Sequence, residues 1–249
     1  MKMIDIAFDF RSDTPSGRDP DERSPTLRRY HQLLWSKALP NGAPFELSVT
    51  TPHSYLHHRS ELDEFWLASD GMIPTFRWSA PIIDQIPETE REAFLRIGYT
   101  IGDMIVFPGN RVDGKMTING QRGFHPKIKD RFDLTLECIR RYYFGEPNPL
   151  SAALARHADF FALFGDFTGY VDFFLLQDWV DERTSTVKFL MPFDDFTGSP
   201  LPGTLEAYVD HRQRGIELIE SRNQRIVAYT RPGPVIGSPA STARLGALH

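Results

Sequence analysis

Residues 99–144 constrain the fold of this 249-residue chain more than any other stretch of comparable length. A short apolar run at 104–107 is followed by Asp113-Gly114 and then by alternating polar and apolar residues at 115–119. Asp and Gly both tolerate the positive φ that a tight primed turn requires. The pattern therefore predicts an antiparallel β-hairpin near residues 104–119.

A helix is predicted directly after this hairpin. Pro126 suits the first helical position, because the N–H that it lacks would have had no partner there. Apolar residues then recur at steps of three or four and predict the buried face: Ile128, Phe132, Leu136, Ile139 and Tyr143. Asp130, Asp133 and Glu137 fall on the neighbouring stripe, where like charges at this spacing repel one another weakly.

Two interpretations of these charges are open. In the first, the acids form a solvated helix face that is joined to the hairpin by surface ion pairs of about 0–1 kcal/mol each. In the second, the hairpin and the start of the helix enclose a pocket that binds an anionic group, since guanidinium forks and helix N-termini favour phosphate and carboxylate. The candidate ligand-binding residues are Asn110, Arg111, Lys115, Asn119, Arg122 and Arg131.

A catalytic version of the second interpretation adds three residues. His125 would act as general acid or base, because an unperturbed imidazole titrates near neutral pH. Asp130 and Asp133 would orient it or hold a divalent ion. No metal site is assigned, because no Cys and His residues have the spacing of zinc ligands, and His53, His57 and His58 lack a nearby third ligand.

Composition and charge limit the class of protein. The chain is 41% hydrophobic and 24% charged, as is usual for a globular protein. A net charge of −5 argues against a general nucleic-acid coat or a polybasic membrane binder. Residues 110–141 nevertheless hold eight Lys and Arg against four Asp and Glu, an excess of 8 − 4 = 4 positive charges.

The remaining patterns predict an α+β fold. Alternating residues at 3–10 predict a strand, helices are expected after Ser24-Pro25 and after Pro87, and residues 204–229 form the longest predicted helix. We expect a single domain over residues 1–230, in which a small, mainly antiparallel sheet packs against about five or six helices. Residues 231–249 lack periodicity and are expected to form a disordered tail.

The sequence also bears on location. The first ten residues have too short an apolar run and too many acids for a signal peptide, and no segment approaches eighteen uninterrupted apolar residues. A cytoplasmic protein without membrane contact is therefore expected. The lone Cys138 cannot form an internal disulfide and is expected to be buried.

The strings FDFRSDTPSGRDP, SPTLRRYHQLLWSK and VFPGNRVDGKMTINGQRGFHPKIKDRFDLTLECIRRYYFGE carry a resemblance. They resemble an uncharacterised bacterial protein family, a domain of unknown function, and the resemblance extends to about Tyr229. It implies a bacterial or phage origin and assigns no activity, no cofactor and no site residue.

Two functions follow as hypotheses. The first is binding of a phosphate- or carboxylate-bearing ligand, such as a nucleotide, by residues 110–141, with nucleotide or phosphodiester chemistry as its catalytic form. The second is a non-catalytic protein-interaction or self-associating module, suggested by the long C-terminal helix and by 12% aromatic residues. Oligomeric state, cofactors and nucleic-acid binding stay open.

Overall fold

The structure, a computed structural model, describes residues 4–49, 56–59, 64–74, 80–181 and 183–231. Ten α-helices lie within these ranges. They are α1 Pro20–Arg23, α2 Pro25–Trp35, α3 Ala80–Ile83, α4 Glu88–Gly98, α5 Ile118–Phe124, α6 Phe132–Tyr143, α7 Ser151–Ala155, α8 Ala158–Ala162, α9 Phe167–Phe173 and α10 Leu205–Thr230.

Seven short strands complete the described part of the chain. They are β1 Lys37–Ala38, β2 Pro44–Phe45, β3 Leu56–Arg59, β4 Glu64–Gly71, β5 Met104–Pro108, β6 Val180–Asp181 and β7 Thr186–Val187. They pair into three antiparallel sheets, of which the largest has the order β3-β4-β5. Short 3-10 helices are present at Phe10–Asp13, Ile101–Asp103 and Gln177–Trp179.

This combination confirms the predicted α+β fold with small antiparallel sheets. Six of the ten helices within the described ranges have seven or more residues, namely α2, α4, α5, α6, α9 and α10. No helix in those ranges is both long enough and apolar enough to cross a membrane. The predicted tail lies outside the described residues except for Arg231, and the domain boundary near residue 230 stays a prediction.

Three helices begin where their local sequence predicts. Ser24 caps α2 by accepting the N–H of Leu27, and Pro25 occupies the first turn. Helix α4 follows Pro87 with Glu88 and Glu90 in its first turn. Thr204 caps α10 by accepting the N–H of Ala207, so the longest predicted helix is confirmed.

The predicted hairpin near residues 104–119 is wrong. Asp113 and Gly114 do adopt positive φ values of 52° and 67°, as the turn pattern required. Strand β5, however, pairs with β4, and the chain after the turn enters helix α5. Thr117 explains the difference, because its hydroxyl accepts the N–H of Gly120 at 3.2 Å and caps the helix.

The helix predicted from Pro126 begins later, at Phe132. Lys129 and Asp130 have φ values of 47° and 69°, and two consecutive left-handed residues cannot continue a helix. Arg122 Nη2 donates to the Asp130 carbonyl at 2.7 Å and stabilises this turn. The predicted apolar face is otherwise correct, since Phe132, Leu136 and Ile139 are fully buried.

The prediction that the acids form a solvated helix face is also wrong for α6. Asp133 is fully buried and forms an ion pair with Arg131. Glu137 is 4% exposed and is paired with both Arg140 and Arg141. These acids are buried because arginines that are close in sequence reach them, which a stripe of like charges does not reveal.

The predicted N-terminal strand is absent from residues 4–9, which form turns and irregular structure before the 3-10 helix at Phe10–Asp13. Phe10 is nonetheless fully buried and packs edge-on against Tyr30 of α2. The alternating pattern therefore marked buried positions and not an extended backbone.

Helix α10 fixes the segment that leads into β5. The guanidinium of Arg222 is fully buried, and its Nη1 donates to the backbone carbonyls of Gly102 and Met104 at 3.0 and 2.8 Å. These two carbonyls flank Asp103. The long helix thereby determines where the Asp103 side chain lies.

Candidate functional site

A cavity of about 320 Å³ lies where the end of β4, the helices α1 and α4 and the turn after α5 meet. Five carboxylates line it: Asp19, Asp21, Asp70, Asp103 and Asp130. Its apolar part includes Phe94, Tyr99 and Phe124. This cavity is the candidate functional site.

Strand pairing brings two of these carboxylates together. Asp70 is near the end of β4, and Asp103 immediately precedes β5. The antiparallel register pairs Asp70 with Ile105 and Gly71 with Met104, so the end of one strand lies beside the start of the other. Small residues keep this space open, since a methyl group on Gly71 would lie 3.3 Å from Asp103 Oδ2.

Asp103 is held in place by the backbone and is shielded from water. Its Oδ1 accepts the N–H of Ile73 at 3.0 Å, and the residue is only 2% exposed. Burial raises the pKa of its carboxyl well above the usual value, and the negative charge of Asp21 raises it further.

Asp21 reaches the cavity from the single turn of α1. Asp19 caps this turn by accepting the N–H of Asp21 at 3.1 Å, and Pro20 occupies its first position. The side chain of Asp21 is half-buried, but its Oδ1 atom is enclosed and accepts no hydrogen bond from the described residues. Burial, followed by the charge of Asp70, raises the pKa of this carboxyl well above its ordinary value.

Arg122 of α5 lies behind the carboxylates and is fully buried. Its Nη1 is 2.5 Å from Asp70 Oδ2 and 3.1 Å from Asp130 Oδ1, and it also donates to the Gly71 carbonyl. Its Nε donates to Thr135 Oγ1 at 3.3 Å. Every nitrogen of this guanidinium therefore has an internal partner.

The pKa of Asp70 is raised to about 6. Loss of hydration on burial is the main cause, and the charge of Arg122 opposes it without fully offsetting it. Asp70 is therefore partly protonated in mildly acidic solution. Asp21 and Asp103, whose pKa values are also raised, keep their protons to a higher pH than ordinary carboxyls. Strongly shifted acids that share one cleft are characteristic of functional sites.

A second cavity of about 640 Å³ adjoins the first. Four residues line both cavities: Asp19, Asp21, Asp70 and Phe124. The second cavity adds hydroxyl and amide groups from Ser69, Thr117, Asn110 and Asn119. The two cavities adjoin at the four shared residues, near the end of β4.

The predicted ligand-binding residues are divided by the structure. Asn110, Arg111 and Asn119 line the second cavity. Lys115 is exposed and lines neither cavity. Arg122 is buried behind the first cavity, as described above.

Arg131 lies elsewhere, where its Nε and Nη2 donate to Asp133 and its Nη1 donates to the Pro200 carbonyl. The internal partners of Arg122 and Arg131 occupy the donors that an anion would need.

The three catalytic candidates are also separated. Asp130 lines the first cavity. Asp133 is buried against Arg131 and accepts the N–H of Leu190 at 2.9 Å. His125 Nδ1 accepts the N–H of Lys127 at 3.2 Å, and burial lowers the pKa of its imidazole. His125 lines neither cavity, so the three do not form one constellation.

A buried histidine determines the role of Ser69. Trp35 Nε1 donates to His31 Nδ1 at 3.0 Å, and His31 Nε2 is 2.9 Å from Ser69 Oγ. An indole nitrogen only donates, so Nδ1 is the acceptor, and burial lowers the pKa of His31 to about 3. Neutral His31 therefore carries its proton on Nε2 and donates to Ser69, so it cannot deprotonate that serine as a general base would.

The described residues support neither a metal site nor a reactive cysteine. No group of three or more His, Cys, Asp or Glu among them is placed to hold a metal ion. Cys138 is buried, and burial raises the pKa of its thiol to about 12, so it is not a reactive thiolate.

Sequence reasoning missed Asp19, Asp21, Asp70 and Asp103. Each lies in a common turn or cap context, such as Asp-Pro-Asp at 19–21 and Asp-Gly at 70–71. The only available signal was the acid-rich loop before α2, which does not indicate its partners.

Comparison with known protein families matches this chain to one family. A family model described as a family of unknown function, DUF6994, matches residues 4–226. The predicted resemblance to a family of unknown function is thereby confirmed, and the bacterial origin stays a prediction. No curated protein and no solved structure matches the chain.

Proposed function

The chain belongs to DUF6994, a family of unknown function, and we propose from the geometry of its cavity that it binds a small organic cation, an alkylammonium or guanidinium compound. The observation that carries the proposal is the concentration of carboxylates. Asp19, Asp21, Asp70, Asp103 and Asp130 line one cavity of about 320 Å³. Such a volume is at the lower end of the range for small-molecule sites, about 300–1,000 Å³.

The charge balance favours a cation. The five carboxylates are opposed by Lys129, which lines the cavity, and by Arg122 behind it. The raised pKa values of Asp21, Asp70 and Asp103 show that these two positive charges do not offset the cost of burying ionised carboxylates. A bound cation would lower the repulsion among the carboxylates and would restore the interactions that Asp21 and Asp103 lose on burial.

The apolar lining supports an organic cation in particular. Phe94, Tyr99 and Phe124 contribute aromatic rings to the same cavity. Ammonium and guanidinium groups are attracted to aromatic faces, and their carbon chains pack on apolar side chains. A strongly hydrated metal ion would gain nothing from these rings.

The proposal predicts how binding depends on pH. Ionised carboxylates bind a cation better than protonated ones, and the pKa of Asp70 is about 6. Affinity for an amine should therefore increase as pH rises from about 5 to about 7, and binding should release protons. An anionic ligand would show the opposite dependence.

Calorimetric titration with butylamine tests the proposal. Butanol, which is uncharged and of equal length, and inorganic phosphate are the comparison ligands. The critical variant is Asp21→Asn, which removes the ionisable group at nearly constant shape and keeps an oxygen that can accept the backbone N–H of Gly71. Asp159→Asn is the matched control, since Asp159 is exposed and lines neither cavity.

We expect butylamine to bind and butanol not to bind. Asp21→Asn should weaken butylamine binding by about tenfold, which corresponds to about 1.4 kcal/mol, and the control variant should leave it unchanged. Equal binding of butylamine and butanol, or equal affinities in wild type and Asp21→Asn, would overturn the proposal. Binding of phosphate alone would support the anionic-ligand hypothesis, which stays a prediction, as does self-association.

A further inference from the structure

We propose that the first cavity selects cations that carry N–H groups, such as primary ammonium and guanidinium compounds, over quaternary ammonium ions, and that Asp130 makes this selection. The inference rests on the proposed function and specifies its class of ligand. It follows from the way in which the N–H groups of Arg122 are divided among the oxygens around it.

Arg122 supplies too few N–H groups for these oxygens. Its Nη1 atom carries two hydrogens. Three oxygens lie close to that atom: Asp70 Oδ2 at 2.5 Å, the Gly71 carbonyl at 3.1 Å and Asp130 Oδ1 at 3.1 Å. The first two contacts are hydrogen bonds, whereas the third is an ion pair only. The Asp130 carboxylate is therefore held by charge and lacks a hydrogen-bond donor.

Asp130 is accessible to a ligand. Its side chain is 41% exposed and lines the first cavity. Within the described part of the chain, its carboxylate has no polar partner other than Arg122. The backbone fixes its position, because Asp130 has a φ of 69° and its carbonyl accepts Arg122 Nη2 at 2.7 Å. An N–H group of a ligand would meet an acceptor that is exposed, fixed in place and without a hydrogen-bond donor.

The deep end of the cavity is polar as well. Asp103 is only 2% exposed, and its Oδ1 accepts the N–H of Ile73. Its Oδ2 accepts no hydrogen bond from the described residues and is directed at two glycines that line the cavity. A methyl group would lie 3.3 Å from this oxygen on Gly71 and 3.8 Å from it on Gly98. A nearly buried oxygen without a donor is costly, which favours a ligand with N–H groups.

The aromatic lining does not itself favour N–H groups. Phe94, Tyr99 and Phe124 line the same cavity. Aromatic rings also attract quaternary ammonium ions, which are typical ligands of aromatic cages. Full methylation of an ammonium group keeps its charge and its contacts with the rings, but it removes every N–H. A difference between methylated and unmethylated cations therefore reports on the carboxylates and not on the rings.

Calorimetric titrations at pH 7 with butylamine, N,N-dimethylbutylamine and butyltrimethylammonium test the inference. All three are cations with the same butyl chain, and the last has no N–H. The second and third are nearly equal in size, so a difference between them reports on hydrogen bonding and not on volume. In wild type, N,N-dimethylbutylamine should bind about tenfold more tightly than butyltrimethylammonium, as expected for one charge-assisted hydrogen bond. Butylamine should bind at least as tightly as N,N-dimethylbutylamine.

Asp130→Asn is the critical variant. It keeps the size of the side chain, suits the left-handed backbone and replaces a carboxylate by an uncharged, weaker acceptor. Loss of the charge weakens binding of all three cations, so the ratio of two affinities is the measurement. The preference for N,N-dimethylbutylamine over butyltrimethylammonium should fall to about threefold or less. Asp159→Asn is again the control and should leave the ratio unchanged.

The outcomes separate the two proposals. If none of the three cations binds, the proposed function fails. If butyltrimethylammonium binds wild type as tightly as N,N-dimethylbutylamine or more tightly, the cation site stands and the selection for N–H groups is wrong. A wild-type preference that persists unchanged in Asp130→Asn also overturns the inference. If Asp130→Asn does not fold, Asp130→Gly, which a positive φ also accepts, gives the same measurement with the same two outcomes.

Discussion

Arg122 Nη1 donates to Asp70 Oδ2 at 2.5 Å, across 52 residues of sequence. The same nitrogen lies 3.1 Å from Asp130 Oδ1, and Nη2 donates to the Asp130 carbonyl. One buried guanidinium thus joins α5, the end of β4 and the turn before α6. It holds the wall of the candidate cavity together, which differs from the ligand-binding role that the sequence suggested.

Replacement of Arg122 by Met should therefore destabilise the protein. Asp70, whose side chain is 23% exposed, would lose its partner. Loss of one member of a fully buried ion pair costs about 3–5 kcal/mol, and the cost here should approach the lower end of that range. The measurement is urea denaturation at pH 7, from which the free energy of unfolding is extrapolated. Arg111→Met is the control, because Arg111 is exposed, and its change should stay within about 0.5 kcal/mol.

Unchanged stability of Arg122→Met would contradict this structural role. The N–H groups of Arg122 would then be available to bind a ligand. Arg122 would again be a candidate residue for binding an anionic ligand. Reduced stability with unchanged amine affinity in the surviving folded protein would agree with Arg122 supporting the cavity from behind.

The raised pKa of Asp21 predicts a pH-dependent effect of Asp21→Asn. In the folded state the pKa of this carboxyl lies well above its ordinary value of 3.8, so the group keeps its proton to a higher pH. The folded form therefore binds more protons than the unfolded form above about pH 4, and stability is lost as pH rises through that range. Removal of the titrating group should make Asp21→Asn more stable relative to wild type as pH rises from 4 to 7.

Only the difference between the two proteins tests this effect. His31 and His211 have pKa values lowered to about 3 and about 4, and their contribution to stability changes with pH in the opposite direction. Both histidines are present in wild type and variant, so their contributions cancel. Each unit of pKa shift corresponds to about 1.4 kcal/mol. A stability difference that stays constant from pH 4 to 7 would show that Asp21 titrates normally.

The sequence predicted the elements whose signals are local. Helices α2 and α10 have a capping Ser or Thr at their start, and each signal lies within a few residues of the structure that it predicts. The hairpin failed because two local signals competed. Asp113-Gly114 favoured a turn between strands, while Thr117 favoured a helix. The partner of β5 was 33 or more residues away in β4, as in the pair Ser69 and Val106, 37 apart.

The candidate cavity could not be predicted from local sequence patterns, because its carboxylates are far apart in the sequence. Asp21, Asp70 and Asp103 are separated by 70 − 21 = 49 and 103 − 70 = 33 positions. Only strand pairing and the contact of Arg222 with the segment around Asp103 bring them together. Residues 110–141 do carry an excess of positive charge. Several of these arginines, however, form ion pairs with carboxylates of the same chain and are therefore not available to an anionic ligand.

His31 should be neutral with its proton on Nε2 in neutral solution. The indole of Trp35 donates to Nδ1, and burial lowers the pKa of the ring to about 3. Nitrogen-15 NMR of histidine-labelled protein should show a non-titrating Nε2–H imidazole between pH 5 and 8 that disappears in His31→Gln. If the signal lost in that variant titrates near pH 6.5, or is an Nδ1–H form, the hydrogen-bond order is contradicted and Ser69 is restored as a candidate nucleophile.

The turn before α5 offers a test of backbone conformation that is independent of packing. Gly114 has a φ of 67°, and a methyl group added there would meet no atom within 4 Å. Gly114→Ala should therefore lower the free energy of unfolding by about 1 kcal/mol through the left-handed backbone alone. Gly203→Ala is the matched control, since it has equal space and no positive φ, and it should be neutral or stabilising by about 0.4–1 kcal/mol. Equal effects of the two substitutions, measured by urea denaturation, would mean that residues 113–114 do not hold the turn that leads Thr117 into its capping position.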